Sequence, residues 1–185
     1  MIICCTAKLQ KEIGLTNFDL AKDISDKSTL GEWYANLFYF DRRKHVIFIN
    51  ARTLFTFIAF DVKKPEIKNL GKLFRIGLGK TLLEENFEGA LIQRLVNECQ
   101  GIQFTKTHNR SVLGVMNDHV RHAKYMLMDE TGMWNLSNII KQLNRTPLLT
   151  KEFTFSVEEL GRVLGIKVDP TLDLKSQFPH YQECL

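Results

Sequence analysis

The 185-residue sequence predicts an α+β fold: a small, mainly antiparallel sheet packed with four to five helices. Three observations carry that prediction. Strand-like runs fall early, at 2–5 and across 32–62. Helical periods dominate after residue 64. The two kinds of element do not alternate strictly, as a doubly wound fold would require. The length fits one domain, 1–165, followed by an extended tail or clasp at 166–185 that holds two of the four prolines.

The apolar run in "MIICC" reads as a short buried strand at 2–5, and "AKLQKEIG" as a helical turn after it. Residues 17–31 are polar, close on Gly31 and read as a connecting loop with one helical turn. Across 32–62, "EWYANLFYFDRRKHVIFINARTLFTFIAFDV" is dense in aromatic and β-branched residues. It breaks at 41–44 and 50–52, which predicts a meander of three antiparallel strands. Pro65 suits the first turn of a helix over about 64–86, where Ile67, Leu70, Leu73, Phe74, Leu78 and Thr81 form one stripe. "EGALIQRLVNECQ" predicts a helix that stops at Gly101, and 102–108 a strand. Further helices follow at about 110–130, 133–147 and 156–165.

Composition and motifs exclude several functions. With 44% hydrophobic and 25% charged residues the chain is an ordinary soluble one. It lacks the run of roughly 18 apolar residues that a membrane helix needs. The N-terminus has no basic n-region, which argues against a secretory signal, so cytoplasm is the expected location and no membrane partner is expected. The cysteines at 4, 5, 99 and 184 contain no CxxC pair. Cys4 and Cys5 should point to opposite faces of a strand, so reduced buried thiols are expected, with no metal site and no cofactor. "GLGKT" (77–81) fails as a phosphate loop, because Phe74 stands where the first glycine belongs and the periodicity is helical on both sides. Those glycines instead suit close helix packing. No GxSxG elbow is present.

Charge distribution says more than the net charge of +4. Residues 41–80 carry ten Lys or Arg against three acids, a local balance of +7. Arg42 and Arg43 belong to a hairpin tip, while Lys68, Lys72 and Arg75 share the polar face of the helix that follows. Concentrated positive charge is the footprint of a phosphate-backbone binder, so nucleic acid or another phosphate-rich ligand is the leading candidate partner.

The helix from residue 110 carries the other candidates. Val112, Leu113, Met116, Val120, Ala123 and Leu127 form its apolar arc. Arg110, Gly114, Asn117, Arg121 and Lys124 line another face, with a notch at Gly114, and Asn109 is placed to cap. Arg110, Asn117 and Arg121 would orient a ligand. The second functional class is a metal-independent hydrolase or nuclease. There Asp118, His119 or His122 would act as acid or base, and Arg110 and Arg121 would stabilise negative charge. A third is a structural subunit with a protein partner, the polar stripe being its interface.

"WYANL" followed by "DRRK", then "NRSVLGVMND" and "LNRTP", resembles an uncharacterised bacterial family defined only as a domain of unknown function. The resemblance runs from Met1 to about Gly165. It implies an intact bacterial-type domain and no particular activity, cofactor or catalytic residue. His108 and the residues beyond about 165 lie outside the shared elements.

Overall fold

A computed structural model describes residues 1–21, 26, 28–129, 135–148 and 154–171. The predicted meander is β2 (Trp33–Phe40), β3 (Arg43–Asn50) and β4 (Thr56–Ala59), antiparallel throughout, with Phe40 opposite Arg43 at its tip. The predicted flanking strands are β1 (Ile2–Cys5) and β5 (Gln103–Lys106). The order is β4-β3-β2-β1-β5, and β1 runs parallel to both β2 and β5. The fold is α+β, and its sheet is mixed. Strands paired in parallel are buried on both faces, and all four residues of β1 are.

Seven α-helices are described where four to five were expected. They are α1 (Ala7–Ile13), α2 (Lys64–Lys68), α3 (Leu70–Glu84), α4 (Gly89–Glu98), α5 (Arg110–Leu127), α6 (Leu136–Asn144) and α7 (Ser156–Leu164). One addition is a correction: the continuous helix predicted over 64–86 is broken at Asn69 (φ −102°, ψ 55°). The Asn69 side-chain oxygen accepts from the Lys72 amide and so starts α3 afresh. The helix predicted to end before Pro147 stops at Asn144, and Pro147–Leu148 pairs antiparallel with Thr154–Phe155. Residues 133 and 134 of that predicted helix, and the predicted tail beyond 171, lie outside the described residues.

The sheet separates two groups of helices. Trp33 meets Phe74 of α3 edge-on, with centroids 5.1 Å apart, inside a cluster that includes Phe48 and Phe57. The next residue, Tyr34, turns the other way, and its hydroxyl accepts from the Asn109 amide at the start of α5 (3.1 Å). Because successive strand residues point to opposite faces, α3 and α5 cover opposite sides of the sheet. Gly77 shows why "GLGKT" is helical: a Cβ there would lie 2.6 Å from the Phe57 ring, so only glycine lets α3 settle on the aromatic cluster.

Both sheet edges are covered. The chain at Leu20–Ala21 bonds to Phe104 on β5. On β4, the buried Asn144 side chain accepts from the Thr56 amide and donates to the Thr56 carbonyl, each at 2.8 Å. One amide thus stands in for an added strand. Beside it Arg145 makes a bidentate pair with Glu85 (3.0 and 2.8 Å), with side chains only 4% and 1% exposed. Arg145 also donates to the Pro170 carbonyl, tying residues 166–171 to the domain. Asn144→Ala would strand the Thr56 N–H and C=O in the interior. Urea unfolding followed by circular dichroism should show a loss of about 2–4 kcal/mol, against a change within about 0.5 kcal/mol for the exposed Asp118→Ala.

Candidate functional site

Lys68 and Lys72 are exposed on α2 and α3, as expected. Arg75 is half-buried and donates to the Cys99 carbonyl (3.3 Å), so it closes the end of α4 rather than facing a ligand. Arg110 and Asn117 are exposed on α5, and Asn109 caps that helix by accepting from the Ser111 and Val112 amides. Arg121 pairs with Asp118 one turn away, in solvent. Since α3 and α5 lie on opposite sides of the sheet, the basic stretches at 64–75 and 110–124 do not form one surface.

A different juxtaposition takes its place. Asp41 and Arg42 form the two-residue turn between β2 and β3, with φ of 45° and 59°. Both are left-handed, the geometry of a tight hairpin that normally selects Asn and Gly. This turn holds Arg42 out at the tip. Arg43 lies 3.6 Å from Asp61, which also binds Lys63 at 3.1 Å. Lys8 of α1 lies over the Tyr39 ring, 4.5 Å from its centroid. Lys124 of α5 reaches the same end: burial and Lys124 together lower the Lys8 pKa. Burial foremost, with Arg43 and Lys124 adding to it, lowers that of His45. The hairpin tip and the end of α5 therefore share a basic neighbourhood.

The three acid–base candidates do not converge. His119 is 3% exposed and its Nδ1 lies 2.9 Å from the Thr56 hydroxyl, so it belongs to the core arc of α5 between Met116 and Ala123. Burial, with His122 nearby, lowers its pKa to about 4. His122 and Asp118 are exposed, and Asp118 is engaged by Arg121.

Cys4, Glu32 and His108 do converge, although sequence reasoning did not select them. The potential ligand atoms of the three all lie within 4.8 Å of one another, and His108 Nε2 is 3.4 Å from Glu32 Oε2. Tyr34 stands beside them, opposite Cys4 in the strand register, its ring 5.7 Å from the His108 ring. Burial raises the Cys4 thiol to about 12, and the Glu32 carboxylate pushes the same way. Cys4 is therefore a protonated thiol in the bare chain, like the buried Cys99. No spacing rule could have linked positions 4, 32 and 108; only the strand register brings them together.

A family model described as a domain of unknown function (DUF6933) matches residues 2–159. No curated protein matches the chain. The matched span encloses the whole sheet and α5, with both of the neighbourhoods just described. Among the described residues no helix is long and apolar enough to cross a membrane.

His119 makes stability depend on pH. Folded, it stays neutral down to about pH 4; unfolded, it takes a proton near its ordinary value of about 6.5. Between those values the unfolded chain binds more protons. The His119 contribution is therefore complete above pH 6.5 and drains away as pH falls toward 4, by on the order of 3 kcal/mol. Urea midpoints measured from pH 7 to 4 should fall less steeply for His119→Gln than for the natural chain.

Proposed function

The chain belongs to the DUF6933 family, and we propose that it is a binding module whose basic end engages a phosphate-rich polyanion, nucleic acid foremost. The observation that carries this reading is the nearness of Lys124, in the last turn of α5, to His45 and Lys8 at the hairpin end of the sheet. Arg42 sits at a left-handed turn position that glycine or asparagine would fill with less strain. A guanidinium placed at such a turn position projects from the tip, where it can meet an anion. Arg43, Lys8 and Lys124 lie near the same end, together with the acids Asp41, Asp61 and Glu12, the last of which pairs with Lys44. Guanidinium groups fork onto phosphate oxygens and ammonium groups add point charges, so this set suits a sugar–phosphate backbone rather than a base edge. Binding of this kind is salt-dependent because displaced counterions drive it.

Lys72, on α3 and so on the opposite side of the sheet from α5, serves as the internal control. Anisotropy titrations with a labelled single-stranded RNA should show affinity that falls as salt rises. Combining Arg42→Ala, Arg43→Ala and Lys124→Ala should weaken it at least about tenfold, and the salt slope should drop by about one for each phosphate contact removed. Lys72→Ala should leave both unchanged. An absence of RNA and DNA affinity even at low ionic strength would sink the reading.

A further inference from the structure

Cys4, Glu32 and His108 come from three different parts of the sheet. Cys4 is on β1, Glu32 leads into β2, and His108 follows β5. We propose that these three side chains bind one divalent transition-metal ion of the zinc class, with the fourth coordination position open to solvent. Metal bonds of about 2.3 Å to sulfur and 2.0–2.1 Å to nitrogen or oxygen put tetrahedral ligands about 3.3–3.6 Å apart. The Glu32–His108 separation of 3.4 Å already has that value, and the farthest pair in the cluster, within 4.8 Å, needs only a small side-chain adjustment. The residues best able to adjust are the outer two, His108 and Glu32, whose side chains are 54% and 27% exposed. Cys4 at the floor is fully buried.

The exposed side of the site is therefore the His108 side, where a water or an exchangeable ligand completes the coordination. An ion pair between Glu32 and His108 accounts for two of the three groups; a metal accounts for the thiol as well. Thiolate and imidazole together select zinc-like ions over magnesium or calcium, which prefer oxygen alone. On binding, the Cys4 thiol proton leaves to solvent and the cation neutralises the thiolate and the Glu32 carboxylate.

The surroundings hold these ligands in place. Tyr34 lies opposite Cys4 in the β1–β2 register and its hydroxyl accepts from the Asn109 amide, so it joins the floor of the site to the segment that carries His108. Asn109 in turn is locked by capping α5. Such outer-shell bonds fix ligand direction in metal sites. Cys5, adjacent in sequence, points to the other face of the sheet and is also buried, which supplies a matched control.

The test is a cobalt titration of the full-length chain after chelator treatment. Expected are a thiolate-to-cobalt charge-transfer band and intense tetrahedral d–d bands, both removed by zinc. Cys4→Ser should abolish the charge-transfer band, while Cys5→Ser and Cys184→Ser keep it. His108→Ala and Glu32→Gln should each weaken cobalt binding at least about tenfold, and Tyr34→Phe by about tenfold, the scale of an outer-shell loss. If Cys4→Ser does not fold, the two variants at the partly exposed positions decide. The site is overturned by a natural chain with no charge-transfer band. A band that survives Cys4→Ser overturns it too, as does binding unaltered by His108→Ala and Glu32→Gln.

Discussion

The rest of the molecule depends on the insertion of β1 between two strands that both run parallel to it. This strand has only four residues, every one buried. Its register sets Cys4 opposite Tyr34 on one side and Thr105 on the other. Ile3 and Cys5 are thereby committed to the face that Trp33 shares with α3, and Cys4 to the face of α5. Neighbouring bonds hold that register. The Thr6 hydroxyl donates to the Asn36 side chain at 2.8 Å, and the Gln10 side-chain Nε2 donates to the Cys5 carbonyl at 2.6 Å. A slip of one residue would exchange the two faces, which would bury Cys5 beneath α5 and pull Cys4 away from Tyr34.

The elements on which the family resemblance rests turn out to be contacts across this framework. In "WYANL", Trp33 anchors the aromatic cluster, Tyr34 receives the Asn109 amide and Asn36 accepts from Thr6. In "LNRTP", Asn144 closes the β4 edge and Arg145 pairs with Glu85. In "NRSVLGVMND", Asn109 caps α5, and Asp118 pairs with Arg121. Most of this polar detail fastens one element to another. In "DRRK", Arg43 pairs with Asp61 and Lys44 with Glu12 of α1, while Arg42 occupies an exposed left-handed turn residue.

Elements defined by local pattern were legible in the sequence. The meander showed in its aromatic and β-branched density, and α4, α5 and α7 in their periodicity. The break at Asn69 was hidden because the apolar stripe continues through it, while the side chain turns back to cap the next helix. His119 was misread for a simpler reason. It lies on the apolar arc of α5, but a histidine is not counted as apolar, and the Thr56 hydroxyl that satisfies it belongs to a distant strand. The parallel pairing of β1 left no local mark. The Cys4–Glu32–His108 cluster, which exists only through that pairing, left none either. The basic neighbourhood was half legible: Arg42 and Arg43 stood out, whereas their meeting with Lys124 depends on how α5 crosses the sheet.

That crossing also keeps the two candidate sites apart. α5 begins beside Tyr34, near the start of β2, and its last turn reaches His45, which pairs with Phe38 near the end of β2. Its 18 residues span about 27 Å at the rise of an α-helix. The helix is seated on the sheet along the way by Val112, Met116, His119 and Ala123. The cap at Asn109 and the proposed basic end therefore lie at opposite ends of one helix. The proposed metal binding and polyanion binding would thus be separable on one scaffold. Either could be removed by changing its own side chains, because the register of β1 and the seating of α5 support both without passing through either.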